Sequence, residues 1–428
     1  MKINLTHPAK QITEIISRIY NRGLTTTSGG NISIIDDNGD IWVTPAGVDK
    51  GSLDESDIML VKADGEIIGK HRPSSEFPFH KSIFDIRPDI KAIIHAHPPA
   101  LVSFSIVRDF PNPNVIPQAK AICGEIGYAP YELPGSQALG DTIALEFKRG
   151  LNAVIMENHG TVVGGVDLQE AFERFETFEF SARSLINAKQ LGEAKFLSNE
   201  EIEKFEKQYS SLLPEMDSTT YPPDELEIRA QICKMVQRAC QQGLMISTYG
   251  TASVRWSNDD FLITPRDVSR WDIQAEDVVQ IKDGKREAGK TPSRSVKLHQ
   301  KIYKKYPEIN SIFITQAPNS MAFAITGETF DDRTIPESWI LLQDIPILPF
   351  SSHFTGDNHV SEVLSPKHPV VIIENDSILV SGNSLLHAFD RLEVAEFSAR
   401  SLIQSKPLGK MVPINAQQIE ELREKFLS

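Results

Sequence analysis

The octapeptide Glu-Phe-Ser-Ala-Arg-Ser-Leu-Ile occurs at 179–186 and again at 396–403, and the chain preceding each copy aligns as well, so any fold for this chain has to be built twice. Further anchors fix the register. Gly23 with Gly243, Gly30 with Gly250, and Thr44-Pro45 with Thr264-Pro265 are 220 residues apart. Pro73 with Pro292, His80 with His299, and Pro88 with Pro307 are 219 apart, and the octapeptides 217. So small a slip leaves little room for loop insertions. Solenoid units repeat every 20–50 residues or so and bury their apolar faces only against neighbours. A period this long implies a whole domain per copy, and two domains of roughly 200 residues fit ordinary domain sizes.

The boundary is expected near residue 216. A helical segment from about Asp167 to Gln190 is followed by the charged stretch Asn199 to Tyr209, then by Leu213-Pro214-Glu215 and Tyr221-Pro222-Pro223-Asp224. Paired prolines break helix and favour extended chain. Residues 1–215 are therefore assigned to the first domain and 216–428 to the second.

Within copy one, Ile12, Ile15, Ile16 and Ile19 keep helical spacing, with Gly23 as a stop. Short β-rich runs follow at Ile32–Ile35, Ile41–Thr44 and Ile58–Val61. Ser74 is expected to cap a helix ending at the Arg87-Pro88 step. Lys91–His95 and Asn152–Met156 read as apolar strands, Pro98–Val107 and Ser136–Lys148 as helices, and a long amphipathic helix closes the copy. Strands and helices interleave without strict alternation, which predicts an α/β fold with a mixed sheet covered by helices.

The two copies differ where the chemistry would be. Ile94-His95-Ala96-His97-Pro98 becomes Phe313-Ile314-Thr315-Gln316-Ala317, and Glu157-Asn158-His159-Gly160 becomes Glu374-Asn375-Asp376-Ser377. A lone histidine on an apolar strand is usually a satisfied core residue. Three that vanish together point to a shared task. His95 and His97, two apart at a strand end, project to the same face. His159 closes the other apolar strand, before a glycine that lets the backbone turn sharply. Three neutral imidazoles leave a divalent ion its charge and an open position, the arrangement of catalytic zinc rather than of a closed structural site.

Glu76 follows Pro73-Ser74-Ser75, and Ser295 stands in its place in copy two. A first-turn glutamate commonly complements a helix dipole; its loss alongside the histidines favours a catalytic role. Ser74, Ser75 and the amides of a helix start offer a site for phosphate or carboxylate. Ser28-Gly29-Gly30-Asn31 is either a plain turn or a second anion-facing loop. Thr251 replaces Asn31 in copy two.

A formal charge of −14 argues against nucleic-acid or anionic-membrane partners, which need a basic face. It says little about a small anion held by a few local groups. No apolar run approaches the length of a membrane span. The leading Met1-Lys2-Ile3-Asn4-Leu5 does not read as a secretory signal. Cys123, Cys233 and Cys240 lack metal-type spacing and read as reduced thiols. A cytoplasmic protein is expected.

Taken together, Gly30-Asn31-Ile32-Ser33, Thr44-Pro45-Ala46-Gly47, Pro73-Ser74-Ser75-Glu76, His95-Ala96-His97-Pro98 and Asn158-His159-Gly160 resemble the class II aldolase/adducin family, most closely its zinc-dependent sugar-phosphate aldolases. The resemblance covers both copies, and only the first carries the full set. It implies two tandem α/β/α sandwiches and one zinc per chain, held by His95, His97 and His159. It implies proton transfer by Glu76 in a pocket that raises its pKa, and phosphate or substrate binding near Gly30, Asn31, Gly47, Ser74 and Ser75. The implied reaction is retro-aldol cleavage of a ketose phosphate, leaving an enediolate whose charge the metal stabilises. Two departures stand out: Ala46 occupies a position where the fuculose-type enzymes carry threonine, and no tyrosine aligns with their proton donor, Tyr128 and Tyr131 being only near it in sequence.

A sugar-acid-phosphate decarboxylase remains open on the same scaffold, whereas an epimerase would typically carry aspartate in place of Glu76. A non-catalytic, adducin-like interaction protein fits copy two but not copy one. The family's fourfold rings imply a homo-oligomer in which two tandem chains form a pseudo-tetramer. Alternatively, copy two binds an anion through Arg294, where copy one has a serine.

Overall fold

The computed structural model describes residues 6–208, 212–217, 221–354 and 359–427; Met1–Leu5 of the leading segment and Tyr209 of the charged stretch lie outside them. The chain opens with helix α1 (Pro8–Asn21), whose Ile12, Ile15, Ile16 and Ile19 are all buried, as their spacing requires. Strands β1 (Asn31–Ile35), β2 (Ile41–Val43), β3 (Met59–Val61) and β4 (Ile67–Ile68) form a meander. Then come α2 (Phe77–Ile86), β5 (Ala92–Ala96), α3 (Pro99–Ile106), α4 (Pro117–Cys123), β6 (Ile126–Ala129), α5 (Gln137–Lys148), β7 (Ala153–Met156), β8 (Gly160–Gly165) and α6 (Leu168–Leu191).

The eight strands form one sheet in the order β4-β3-β2-β1-β5-β8-β7-β6, antiparallel throughout except for the parallel β6–β7 pair. Every residue of β5 and β8 is buried, so both faces of the sheet are covered at its centre. On one face Phe79 and Ile83 of α2 and Ile143 and Phe147 of α5 pack with Ile93, Val154 and Val162 of the sheet. Ile93 and His95 share that face by the period of two, which places His95 at the edge of this core.

After α7 (Asn199–Gln208), the second copy repeats the plan: α8 (Pro223–Gln242), β9 (Thr251–Ser257), β10 (Asp260–Ile263), β11 (Val279–Lys282), β12 (Lys285–Arg286), α9 (Val296–Lys305), β13 (Ser311–Thr315), α10 (Pro318–Thr326), α11 (Pro336–Leu342), β14 (Ile347–Leu348), α12 (His359–Val363), β15 (Val370–Ile373), β16 (Ser377–Gly382) and α13 (Leu385–Ser405). Its sheet runs β12-β11-β10-β9-β13-β16-β15-β14, the same order as the first. A last helix, α14 (Ala416–Phe426), follows. Two mixed eight-stranded sheets with helices give the α/β class expected from the sequence. Among the described residues no helix is long and apolar enough to cross a membrane.

Compact packing divides the chain into residues 1–113 with 118–183, and 114–117 with 184–428. The charged stretch read as linker is the helix α7, and its Ile202 and Phe205 are buried with Leu197 and Phe350 inside the second unit. The paired prolines near 222 thus mark where the second repeat starts, while the preceding segment already packs with it.

The structure also corrects the start of α2. Ser74 is not its cap: Glu76 occupies the N-cap position and makes no capping hydrogen bond, and Phe77-Pro78 open the helix. The Ser74 segment is instead tied to β2's end by a bridge between Pro45 and Pro73 and by Ser74 N donating to Thr44 O at 3.1 Å.

The first residue of the repeated octapeptide answers a capping problem. Helices α3 and α10 begin after Pro98 and Ala317, neither of which can cap with a side chain. Their first amides would be orphans. Glu179 accepts from Ala100 N at 3.3 Å and Leu101 N at 3.1 Å, and Glu396 accepts from Asn319 N at 2.9 Å and Ser320 N at 2.8 Å. The first residue of each octapeptide therefore caps a helix about 80 residues upstream. Glu179→Ala leaves two buried amides unsatisfied and is expected to destabilise by about 2 kcal/mol, with Glu179→Gln in between. A guanidinium unfolding curve indistinguishable from wild type for both variants would show that this cap carries no stability.

Candidate metal centre

Strand pairing builds the site. In the antiparallel register of β1 with β5, Asn31 lies opposite His95, and directly opposed side chains on one face sit within contact range. On the other side β5 pairs with β8, which begins one residue after His159. The turn carrying His159 is tight: His159 N donates to Met156 O at 3.2 Å, and Asn158 adopts a left-handed φ of 50°.

The backbone must approach closely here, and two glycines permit it. A Cβ on Gly160 would lie 2.5 Å from Ala96 O and 2.7 Å from Cδ2 of His97. A Cβ on Gly30, at φ +72°, would lie 2.8 Å from His95 O. Neither position tolerates a side chain without moving a histidine strand.

The rings of His95, His97 and His159 form a triangle with centroid separations of 4.8, 5.0 and 5.1 Å. One ligand atom of each lies within 4.8 Å of the others, and this is the group with metal-binding character found among the described residues. Nδ1 of His95 donates to Thr161 O at 2.9 Å, which orients the ring with Nε2 facing the cluster. Nε2 of His95 and Nε2 of His97 are buried without a hydrogen bond, as ligand atoms for a cation would be. Burial, with His95 and His159 adding to it, lowers His97 to about 3, so its imidazole is neutral near pH 7. These donors fit a divalent metal.

Glu76 points into the triangle. Its Oε2 is 3.1 Å from His95 Nε2, and its Oε1 is 3.2 Å from His159 Nε2. These contacts are close but poorly aligned, since neither Oε1 of Glu76 nor Nε2 of His95 makes a hydrogen bond. Oε2 is held instead by Asn31 Nδ2 at 2.8 Å. Burial pushes the carboxyl pKa up, but the opposing charge and contacts of His95 and His159 outweigh it and hold it well below the usual carboxylate range. The raised pKa expected from the sequence is therefore not found, because histidines crowd the carboxylate more closely than burial alone would suggest.

One residue tied to this cluster escaped the sequence reading. His80 of α2 is fully buried, its Nδ1 is 2.7 Å from Ser33 Oγ, and its Nε2 bonds Asn31 Oδ1. With its amide oxygen held by His80, Asn31 presents its NH₂ to Glu76. The signal was masked because His299 keeps the same bond, to Ser253 at 2.6 Å, in copy two.

The remaining expected residues are more dispersed. Ser74 is buried with its Oγ accepting from Glu76 N at 3.3 Å, while Ser75 and Gly47 are exposed beside the start of α2 and the end of β2. Tyr131 is exposed, and burial and the neighbouring Glu157 raise the Tyr128 phenol above its ordinary pKa.

In copy two the corresponding side chains satisfy one another. Thr251 Oγ1 is 2.7 Å from Ser293 Oγ, which is 3.1 Å from Ser295 Oγ, and Asp376 lies 3.3 Å from His353 Nε2.

His97→Ala should abolish metal binding with the circular dichroism unchanged, because the sheet core does not include that ring. Gly160→Ala keeps all three histidines yet should weaken metal binding on the order of 10-fold or more by displacing His97. Metal content by mass spectrometry at wild-type level in Gly160→Ala would refute the close-packing account.

The family described as Class II Aldolase and Adducin N-terminal domain matches residues 10–186 and again 230–403. The chain is similar to the 3-oxo-tetronate 4-phosphate decarboxylase of Escherichia coli (strain K12), with 33% identity over 178 residues, 41% of this chain and 84% of the relative. It is 37% identical to the L-fuculose phosphate aldolase of Methanocaldococcus jannaschii over 181 residues, 42% of this chain and 96% of that protein. A solved L-fuculose 1-phosphate aldolase structure, 28% identical, aligns with a TM-score of 0.44, covering 49% of this chain and 100% of that one. The two matched segments span most of the chain, which therefore belongs to the class II aldolase and adducin N-terminal domain family as a tandem duplication.

Proposed function

We infer that the first copy is a zinc-dependent carbon–carbon lyase of the aldolase type, acting on a sugar phosphate. His95, His97 and His159 are its metal ligands and Glu76 its proton-transfer group. The observation that carries this reading is the convergence of a buried carboxylate, 3.1 and 3.2 Å from two imidazole nitrogens, on a three-histidine cluster. Zinc, when bound, supplies Lewis-acid stabilisation of the negative charge that develops as the carbon–carbon bond breaks.

The chain's own residues divide the remaining work. Asn31, held by His80, fixes Oε2 of Glu76, and this leaves Oε1 as the atom that takes or returns the proton. Asn31 thereby acts as a positioning residue, with its NH₂ committed to Glu76. Ser74, Ser75 and Gly47, with the amides at the start of α2, hold the phosphate, and Gly30 lets the loop before β1 run close beneath His95. One zinc per chain is expected, in the first copy only, because Ile314 cannot ligate and Asp376 is engaged with His353. The chain is proposed to form a homo-oligomer in which the second copy supplies shape rather than chemistry; light scattering that gives a monomer at working concentration would exclude this.

A decarboxylase is the second reading, favoured by the relative that is named for that activity. Incubation of the zinc-loaded protein with a panel of ketose phosphates and phosphorylated 3-oxo acids separates the two, by aldehyde release or carbon dioxide release. Glu76→Gln should keep its metal and lose on the order of 100-fold or more in turnover. Turnover within a few-fold of wild type would return Glu76 to a structural role.

A further inference from the structure

The two copies differ in what covers one face. In the second unit, the strap from Lys195 through α7 lies across the ends of α10, β14 and β15. Lys195 N donates to Ile325 O at 2.9 Å, and Asn375 Nδ2 donates to Lys195 O at 2.8 Å and to Val115 O at 2.9 Å. Leu197, Ile202 and Phe205 are then buried with Phe350, and the Phe205 and Phe350 rings stack at 5.5 Å. All of these residues belong to the second unit.

The matching face of the first copy is open to solvent. Ile106 and Tyr131 stand 219 residues before Ile325 and Phe350, and Asn158 stands 217 before Asn375. Ile106 is 59% exposed where Ile325 is buried, and Tyr131 is 56% exposed where Phe350 is 5% exposed. Asn158 is exposed and Asn375 buried. Glu157 joins these loops, pairing with Arg108 Nη2 at 2.8 Å and accepting from Tyr131 N at 3.4 Å. Val107 and Leu133, also exposed, extend this apolar rim. Exposed apolar surface of this kind marks an interaction site.

The chain also carries a second strap. Helix α14 stands 217 residues after α7, so that Ile414, Ile419 and Leu422 match Leu197, Ile202 and Phe205, and Val412 matches Lys195. The two helices begin alike. Ile414 N donates to Arg333 O at 2.9 Å as Leu197 N donates to Asn114 O at 2.9 Å, and the reciprocal cap of Asn415 and Gln418 repeats that of Ser198 and Glu201. Their burial differs: no residue of α14 is buried, Ile419 and Leu422 are half-buried, and Val412 is 89% exposed. Arg423 lies over the Trp339 ring at 5.6 Å, which with the Ile414 bond holds α14 in place on its own unit. A strap held in advance loses less freedom on docking.

We propose that the strap Val412–Lys425 of one chain docks on the rim of the first copy in a second copy of the chain, with Leu422 over Tyr131 and Val412 beside Ile106 and Asn158. Each contact has its counterpart already made inside the second unit, by Phe205 on Phe350 and by Lys195 on Ile325 and Asn375. Every chain offers one strap and one rim, so the contact is head-to-tail and closes at its smallest as a pair. Asn158 immediately precedes His159, and docking therefore sets the partner's strap beside the histidine cluster. The interface rests on the homo-oligomer proposed above and not on the reaction of the first copy.

Sedimentation velocity of the full chain at micromolar concentrations tests it, for wild type, for Tyr131→Asp with Leu133→Asp, and for Val412→Asp with Leu422→Asp. Wild type should assemble, and each double variant should weaken assembly on the order of 10-fold or more. Circular dichroism should stay unchanged, because these side chains are exposed or half-buried. In addition, chains carrying Tyr131→Cys mixed with chains carrying Leu422→Cys should be joined by a short bismaleimide, a link that the mixture can form only between molecules. A wild-type monomer overturns both this proposal and the homo-oligomer. Assembly that survives in either double variant, or a mixture that gives no cross-link, overturns the proposal and leaves the homo-oligomer in place.

Discussion

The pairing of β1 with β5 is the interaction on which the site depends. It sets Asn31 opposite His95, and the turn before β1 has to pass so close to the His95 carbonyl that only glycine fits at position 30. Once that register holds, Glu76 at the start of α2 meets both the amide of Asn31 and the rings of His95 and His159. The second copy keeps the register, with Thr251 opposite Ile314. Strand pairing draws on backbone hydrogen bonds that any side chain leaves in place. The frame could therefore outlast the chemistry it once positioned.

This explains which residues were legible in the sequence. His95, His97, His159 and Glu76 stand out because a duplicated chain provides its own comparison, and their loss in one copy costs the fold little. His80 was hidden by the same logic, since His299 survives; both rings bond a serine on the neighbouring strand, and only the first also holds an asparagine. Among the elements, the apolar strands and long helices were read within a residue or two. The strand β8 was missed because it reads Gly-Thr-Val-Val-Gly-Gly, and glycine is ordinarily depleted in strands. Its glycines are there for close packing: a Cβ on Gly165 would lie 2.5 Å from the amide nitrogen of Ala171. The helix α7 was read as linker because its composition is mostly charged, and two apolar residues, Ile202 and Phe205, suffice to dock it.

Long-range requirements of this kind are what local pattern cannot express. The octapeptide is the clearest signal in the sequence, yet its reason lies about 80 residues away, at helix starts that follow Pro98 and Ala317 and lack a capping side chain. A glutamate in a distant helix can satisfy two such amides only if the helix register is fixed on both sides. That constraint applies to each copy equally, so this glutamate is present in both while the three histidines are not.

The losses in the second copy are coupled by the same electrostatics. A carboxylate at the position of Ser295 would be buried without the asparagine amide and without imidazoles to face it, and a buried, unpaired charge is strongly unfavourable. Hydroxyls at 251, 293 and 295 instead donate and accept among themselves. Arg266 and Arg294 stand where the first copy has Ala46 and Ser75. The hydroxyl cluster of the second copy and the three-histidine cluster of the first are thus two ways of filling the same place on one scaffold.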